Sequence, residues 1–439
     1  MKNRWKALCL ALAATLLFGS ASVLATPDEG EDTSATLVYG SIDSLMRKNY
    51  PVILAMEENI AQLEELDYES IKNEANSGYY AALDAKTQLE SLIANVNYTI
   101  QSILTASFNP TGDDDFGAAT VEGASAVLGS YIAANAASTI SSLEAAYEAC
   151  EDVLHSIRDG SLKKSNELII MQLKSAENQT VVMAETLYIS IKSLEVSESA
   201  LKRTIASLER TITELELRVK LGQVSELTLA QARGGLTTVK SGLSTLQMNI
   251  RTLSMQLEVM VGKNISGDLG TSSLPEVTQE QLDAMNLQSD LTNAKKVSYE
   301  LANAKDAVDQ AKKDYDDIAE KYDYRSTVYT VQQASHSYNA AKFTYDNTVK
   351  NFELGFNLLY YQVKDKAQAL EAAKSALALA QRQHEANELK YKQGNISKNT
   401  LLASQDDVSE AKDNVTTAKY ELFSAYHNYH AAVIYGIVN

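Results

Sequence analysis

The sequence predicts an all-α protein built from long helical hairpins. The chain of 439 residues has only 4 prolines, and none lies between residues 111 and 274 or between 276 and 439. Proline removes a backbone donor and clashes with the preceding turn, so its absence favours long helices. Glycine is also rare, at 19 residues, whereas soluble β folds need frequent turn residues. Because 45% of the residues are hydrophobic, a disordered chain is disfavoured.

Apolar residues recur on both sides of Gly222 with the spacing of a coiled-coil seam. The spacings alternate between three and four residues, which is a heptad pattern. The two seams are Leu201, Ile205, Leu208, Ile212, Leu215 and Val219, and then Leu236, Val239, Leu243, Leu246, Ile250, Leu253 and Leu257. Glycine readily ends a helix in the left-handed conformation. We therefore predict an antiparallel hairpin with helices over 161–221 and 225–262, the first about 90 Å long.

A second hairpin is predicted around Gly394, and its turn repeats the first. Residues 216–229 (ELRVKLGQVSELTL) and 388–401 (ELKYKQGNISKNTL) are identical at 7 of 14 positions. The shared glycines and serines lie outside the seams, so apolar periodicity alone does not explain the match. We predict two internal repeats, residues 35–263 and 278–439. A linker at 264–277, where Gly, Ser and Pro cluster, joins them.

The N-terminus has the pattern of a secretory signal peptide, residues 1–25. Three basic residues precede an apolar run at 7–18, and small residues mark a cleavage site. Export into the cell envelope is therefore expected, with a disordered acidic leader at 26–34. Loss of the three basic residues changes the net charge from −18 to about −21, which disfavours nucleic acid as a partner.

The two turns resemble those of the TolC-like outer-membrane efflux protein family. In that family, each of two repeats has a long helix that ends in a turn of the form G-x-[VI]-[ST]-x-x-[TD]-L. Residues 222–225 (GQVS) and 394–397 (GNIS) carry the match. Glycines near the repeat ends, at 262 and 436, and the segment 49–54 (NYPVIL) also agree with the family pattern. The resemblance covers most of residues 41–439.

The resemblance implies a homotrimer that forms a hollow α-helical barrel and serves as an efflux or secretion conduit. Its hairpin tips would dock a periplasmic adaptor (membrane fusion) protein, which joins an inner-membrane transporter. The expected docking residues are Leu221, Gly222, Gln223, Val224, Ser225, Gln393, Gly394, Asn395, Ile396 and Ser397. Tyr391 matches the family's gate tyrosine. Ile396 and Thr228 replace the arginine and its acidic partner of well-known members, which puts an ion-pair lock at the tips in doubt.

The sequence departs from the family where membrane-crossing members carry two β-strands per repeat. Near 320–340 only residues 324–332 (YRSTVYTVQ) are strand-like, and the matching part of repeat one, near 105–150, is Ala-rich and helix-like. Spanning strands need about 9–11 alternating residues each. Little or no β-barrel is therefore expected, and contact with a bilayer stays open. The alternative function is an exported structural or binding coiled coil without channel activity.

Few residues suggest chemistry. His427 and His430 lie three residues apart on one helix face, a spacing compatible with metal binding or with packing. A third ligand is not evident. No catalytic or nucleotide-binding motif is present, so we expect no enzymatic activity and no cofactor.

Overall fold

The protein is described here by a computed structural model that covers residues 36–106 and 115–438. The predicted signal peptide and leader lie outside these residues. The described residues form eleven α-helices, a short 3-10 helix at Tyr39–Ser41 and no β-strand. The helices are α1 (Ile42–Asn49), α2 (Pro51–Glu64), α3 (Tyr68–Ala106), α4 (Asp115–Arg158), α5 (Ser161–Lys220), α6 (Glu226–Met260), α7 (Gln279–Ala284), α8 (Leu287–Val297), α9 (Tyr299–Lys321), α10 (Tyr329–Lys392) and α11 (Lys398–Tyr435).

The prediction of an all-α fold with long antiparallel hairpins is confirmed. The two helices predicted around Gly222 are α5 and α6, whose ends fall within two residues of the expected positions. The strand-like run at 324–332 forms no strand: residues 322–328 are a turn, and α10 begins at Tyr329. The residues from Tyr329 onward are helical because α9 supplies an antiparallel partner along which α10 packs.

Contacts divide the chain into two units. The described residues of the hairpin unit are 61–106 and 115–169, and those of the main unit are 36–60 and 170–438. The boundaries fall inside α2 and inside α5, so neither unit matches one of the predicted repeats. The division into repeats stays a prediction.

The hairpin unit is built around the antiparallel helices α3 and α4. Lys86 Nζ lies 2.7 Å from Glu144 Oε1, and the rings of Tyr79 and Tyr147 meet edge to face at 5.8 Å. The seam spacings alternate between three and four residues along α4, at Ile140, Leu143, Tyr147, Cys150, Leu154 and Ile157. These side chains are only half-buried, because two helices can cover one face of each other and no more.

Four long helices of the main unit lie side by side in the order α6, α5, α11, α10, each antiparallel to its neighbour. The contacts that set this order are Glu209–Lys240 and Glu216–Arg233 between α5 and α6, Arg203–Asp413 and Arg210–Asp406 between α5 and α11, and Lys366–Glu421 and His384–Ser404 between α10 and α11. Among the described residues, no hydrogen bond or ion pair joins α6 to α10. The row is therefore open, with α6 at one edge and α10, along which α9 also packs, at the other.

The main unit has two apolar cores. One surrounds Tyr188 and Phe423 and joins the N-terminal segment to α5 and α6. The other surrounds Phe356 and Tyr429 and joins α8 to α10 and α11. Away from these cores, towards the tip at Gly222, the seam side chains of α5 and α6 are half-buried. Among the seam residues from Leu201 to Leu253, Ile212 alone is fully buried.

A buried carboxylate organises the connection that follows α6. Glu258 is 2% exposed and accepts hydrogen bonds from the backbone N–H groups of Ser266 (2.7 Å) and Gly267 (2.8 Å) and from the Ser266 hydroxyl (2.6 Å). Burial alone would raise the pKa of Glu258, but these donors outweigh it and hold the pKa below its ordinary value. Glu258 thus fixes the path of the connection as an ionised group.

We expect Glu258→Gln to lower the free energy of unfolding at neutral pH by about 1–3 kcal/mol, because an amide cannot accept the same set of charge-assisted bonds. A carboxyl group with a lowered pKa stabilises the fold above its unfolded-state pKa, and this contribution is lost as the pH falls through the folded-state pKa. The deficit of the variant should therefore shrink in acid. Denaturant unfolding across the pH range measures it, with the exposed Glu57→Gln as control. A deficit that stays constant down to acid pH would contradict this account.

Candidate functional site

The two predicted hairpin tips share one backbone geometry. At the first, Gln223 N–H donates to the carbonyl of Arg218 and Gly222 N–H donates to that of Val219, both at 2.9 Å. The same two bonds recur at the second tip, from Asn395 to Lys390 and from Gly394 to Tyr391. Both glycines have positive φ, +70° and +76°. This is the Schellman arrangement, in which a left-handed glycine satisfies the last carbonyls of a helix.

Each tip then starts the returning helix with the same serine cap. The Ser225 hydroxyl accepts a hydrogen bond from Thr228 N–H at 3.2 Å, and Ser397 accepts one from Thr400 N–H at 3.1 Å. The hydroxyls of each serine–threonine pair are also within 3.0 Å. Thr228, which occupies the position of an acidic residue in the family pattern, is therefore part of a helix cap.

The side chains of the two tips differ. At both tips nearly all the predicted docking residues are exposed, and Val224 and Ile396 are half-buried. The first tip exposes large apolar side chains, Leu217, Leu221 and Leu227. The second exposes Leu389 and Tyr391 beside three lysines at 390, 392 and 398. The tips thus offer apolar and basic groups on a chain that is strongly acidic as a whole.

An apolar ridge runs along the free side of α10. At about 100° per residue, its members fall within an arc of about 60° on the helix. They are Tyr329, Phe343, Leu354, Leu358, Tyr361 and Leu379, all exposed and named here the α10 ridge. Phe343 is 73% and Leu379 65% exposed. Isolated exposed apolar residues are ordinary, but a line of six on one face is typical of an interface.

A line of small residues runs along the free side of α6. Gly234, Gly235 and Gly242 lie in the helix interior, where glycine is less favourable than alanine by about 1 kcal/mol. A Cβ atom added at any of them would meet nothing within 4 Å. Together with the exposed Thr238, Ser241 and Thr245 they form the α6 groove. Packing among the described residues gives no reason for these glycines.

The ridge and the groove lie at matching levels of the row. His384 contacts Ser404, so Leu379, five residues earlier in α10, lies level with residue 409 of α11. Asp406 contacts Arg210, which places residue 409 level with residue 207 of α5. Glu209 contacts Lys240, which places residue 207 level with Gly242. A large exposed side chain on one edge thus stands at the height of an open glycine on the other.

The two histidines that suggested a metal site occupy different surroundings. His427 is buried, and its Nδ1 lies 2.9 Å from the Tyr39 hydroxyl. Its Nε2 has no hydrogen-bond partner and lies 3.7 Å from Glu185 Oε2. His430 stacks on Tyr426, with ring centroids 5.9 Å apart. In the part of the chain that the structure describes, no three His, Cys, Asp or Glu side chains are grouped so that they could hold a metal ion.

Between about pH 4 and pH 7, burial keeps both members of the Glu185–His427 pair largely neutral. It raises the pKa of Glu185 to about 7, with a further contribution from Asp43. It lowers the pKa of His427 to about 4, with a further contribution from His430. In mildly acidic solution the unfolded chain carries this pair as a carboxylate and an imidazolium. Folding moves one proton from the histidine to the glutamate and leaves the number of bound protons unchanged.

Sequence reasoning missed this cluster. Tyr39, Glu185 and His427 come from the N-terminal 3-10 helix, α5 and α11, and no local pattern links residues so far apart in the chain. By contrast, the tips were predicted because a left-handed glycine followed by a serine cap leaves a local signature. The ridge and the groove left weaker signals, an apolar periodicity off the seam and glycines inside a helix.

No protein-family model and no curated protein matches the chain. Among solved structures, a membrane protein from Pseudomonas aeruginosa is 10% identical, with a TM-score of 0.52, over 94% of this chain and 95% of that one. The Neisseria gonorrhoeae MtrE outer membrane channel, in its open state, is 13% identical over 65% and 73% of the two chains, with a TM-score of 0.47. The Campylobacter jejuni CmeC outer membrane channel is 16% identical over 65% and 69%, with a TM-score of 0.43.

The chain shares the fold of the Pseudomonas membrane protein over nearly its full length. The TM-scores of the two channels are too low to establish a shared fold. Residues 36–106 and 115–438 contain no helix with both the length and the apolar character needed to cross a membrane.

We expect Glu185→Gln to change how stability depends on pH. In the wild type, the contribution of Glu185 to the free energy of unfolding falls as the pH rises from about 4.5 to 7. The contribution of His427 falls as the pH drops from 6.5 to about 4, so the two pH dependences oppose each other. Glutamine removes the first. The variant should then lose about 1.4 kcal/mol per pH unit on acidification below pH 6.5, relative to wild type. Urea unfolding at stepped pH tests this, and parallel curves for the two proteins would refute it.

We expect Gly222→Val to lower the free energy of unfolding by about 1–2 kcal/mol, because a β-branched residue is strained at positive φ. Gly394→Val should have a similar effect. Gly222→Asn should be milder, since asparagine tolerates the left-handed region. Thermal unfolding measures all three, with Gly40→Val as control at a glycine that has open space but no positive φ. Equal losses at Gly40 and Gly222 would show that backbone strain is not the cause.

Proposed function

We propose that this chain is a component of a TolC-like conduit for efflux or secretion in the cell envelope. The observation that carries the proposal is the open row of four helices, with the α10 ridge on one edge and the α6 groove on the other. A row of this kind leaves apolar surface uncovered in a single copy. The shared fold with a membrane protein of Pseudomonas aeruginosa supports the proposal, as does the family resemblance of the two tips.

Several copies close the row into a ring. Rotation about an axis parallel to the helices keeps every residue at its own height, so the α10 ridge of one copy meets the α6 groove of the next at the same level. Leu379 then packs against Gly242, where the missing side chain leaves room for it. The family resemblance makes the ring a homotrimer of twelve long helices around a hollow interior.

The tips provide the docking surface for a periplasmic adaptor that joins an inner-membrane transporter. The exposed leucines of the first tip and the lysines of the second supply apolar contact and positive charge. Tyr391 is the residue proposed to take part in gating; it is 40% exposed beside the second tip. The repeat organisation supports this arrangement, because it presents two tips per chain with one backbone geometry.

The alternative, an exported coiled coil without a channel, requires the apolar seams to close inside one chain. The half-buried seams of α5 and α6 and the exposed α10 ridge favour the conduit instead.

We expect Leu379→Lys to weaken assembly of the mature chain at least tenfold in dissociation concentration, because a charge would be buried at the contact. Lysine lowers the long-range repulsion between acidic copies, so any weakening must come from the contact itself, where the charge is buried and the leucine packing is lost. Gly242→Leu should block the same contact while leaving the monomer folded, since its side chain enters open space and leucine favours helix over glycine. Analytical ultracentrifugation measures assembly.

Gln381→Lys is the matched control, since it adds the same charge to another exposed face of the same helical turn. It should assemble like wild type. If all three variants assemble normally, the edges of the row are not the contact, and the conduit proposal loses its support. Small-angle scattering of the assembly provides an independent test: a hollow cross-section is expected, and a filled one would favour the coiled-coil alternative.

Adaptor docking is tested by placing a photo-crosslinking residue at Gln223 or Asn395 in cells that produce the protein. The expected product joins the tip to the helical hairpin of a periplasmic adaptor, identified by its crosslinked peptide. The same residue at Thr245, on the α6 groove, should join copies of this chain instead. Absence of an adaptor product at both tips would contradict docking through the tips.

A further inference from the structure

The row of four long helices has two faces, and the other segments of the main unit pack on only one of them. We name this the covered face and the opposite one the bare face. On a heptad wheel, each helix of the row bonds to a segment outside it through the covered face. The contacts are Tyr188–Ser272 from α5, Arg251–Ser266 from α6, Lys364–Leu282 from α10 and Lys419–Glu276 from α11. Among the described residues, no hydrogen bond or ion pair joins a segment outside the row to the bare face.

The two faces differ in charge over the half of the row nearest the tips, residues 197–215, 231–249, 369–387 and 401–419. Between its edges the bare face carries small and uncharged polar side chains, and its charged members there are Asp407 and Glu410 alone. The covered face of the same stretches carries both signs on every helix. The basic residues Arg218 and Lys390 lie beside the tips, outside these stretches. The bare face therefore has acidic groups and no basic group at these levels.

The polar groups of the bare face are mainly hydrogen-bond acceptors. Four threonine hydroxyls donate to the carbonyl four residues earlier, at 3.0–3.2 Å, and they belong to Thr204, Thr211, Thr238 and Thr245. A hydroxyl that donates in this way still has lone pairs that accept. Asp407 and Glu410 are exposed and, among the described residues, make no ion pair; ionised carboxylates only accept. Such a surface suits solutes that donate hydrogen bonds or carry positive charge.

The two edges of the row are inclined towards the bare face. Measured across that face on a heptad wheel, Leu379 lies about 130° from the side of α10 that packs on α11. The α6 groove likewise lies about 130° from the side of α6 that packs on α5. The neighbours of α5 and of α11 are about 160–180° apart across the same face. A closed ring of twelve helices needs about 150° at each helix, so joining the edges turns the bare face inward.

We propose that the bare face lines the interior of the conduit and admits cationic and neutral hydrogen-bond donors in preference to anions. This inference rests on the proposed ring of copies. Twelve helices spaced 8–10 Å apart enclose an interior about 20–30 Å wide. The N-terminal segment, the connection after α6 and helices α7 to α9 then lie outside the ring, where they do not obstruct it.

Two threonines of α5 provide a matched test of the lining. Thr211 lies on the bare face and Thr213 on the covered face, both are exposed in a single copy, and both hydroxyls donate within the helix. With Cys150→Ser removing the native thiol of the mature chain, each is replaced by cysteine and the oligomer is isolated by analytical ultracentrifugation. Thr211→Cys should react with a small maleimide and lose this reaction when the maleimide is attached to a globular protein wider than the interior. Thr213→Cys should react with both reagents.

A second pair on α11 extends the test further from the tips. Asn414 lies on the bare face and Lys412 on the covered face, and both are exposed in a single copy. Asn414→Cys should behave like Thr211→Cys, and Lys412→Cys like Thr213→Cys. In the isolated monomer all four cysteines should react with the large reagent, because only assembly encloses the bare face.

Charged thiol reagents test the selectivity. At low ionic strength, the ratio of reaction rates with cationic and anionic methanethiosulfonates of similar size should be at least tenfold higher at Thr211→Cys than at Thr213→Cys. The carboxylates beside Thr213 are paired with basic side chains of α6. Asp407→Asn combined with Glu410→Gln should bring the two ratios within about twofold of each other. Equal ratios before these substitutions, or an unchanged difference after them, would refute the selectivity.

The results separate this inference from the proposed conduit. If Leu379→Lys disperses the oligomer but the large reagent reaches Thr211→Cys as readily as Thr213→Cys, the edge contact stands and the lining is refuted. Protection of Thr213→Cys in place of Thr211→Cys would refute the lining in the same way. If Thr211→Cys in the oligomer reacts with neither reagent, the interior is filled, and both the lining and the conduit are overturned.

Discussion

The structure depends on one geometric constraint: helices placed side by side in a single row cannot cover all of their apolar surface. Within the row of four, α5 and α11 have a neighbour on both sides, and α6 and α10 have one each; α9 packs along α10 from outside the row. The two edge helices keep the α10 ridge and the α6 groove in water. Hydrophobic burial, about 25 cal/mol per Å² of apolar surface, therefore favours association of such rows over isolation.

Polar pairs set the register of the row. Arg203 and Arg210, one heptad apart in α5, pair with Asp413 and Asp406, one heptad apart in α11. Partly exposed ion pairs of this kind contribute little stability each, on the order of 0.2–1 kcal/mol. Their value lies in alignment: a slip of α11 by one turn would break both pairs at once. Because they join the two hairpins, they also fix the relative height of the tips at Gly222 and Gly394.

Local signals predicted the helices and the tips but not their neighbours. The ends of α5 and α6 were predictable since Gly222 and Ser225 terminate and restart helices by hydrogen bonds within a few residues. The pairing of α5 with α11 was not predictable, because a heptad pattern shows that a helix has an apolar face but does not specify which helix packs against it. The clustering of Tyr39 and Glu185 around His427 was equally hidden. The helical hairpin of α3 and α4 was foreseen only as an Ala-rich, helix-like stretch, since composition gives no information about topology.

The repeated Schellman turn has a consequence for valency. A partner that recognises only the backbone shape of the turn and its serine cap would find two equivalent binding positions on every chain. A partner that recognises Leu221 would find one, because Gln393 takes the corresponding place in the second turn. Two partner molecules bound per chain would therefore indicate contacts with the main chain of the turn, and one would indicate contacts with the side chains.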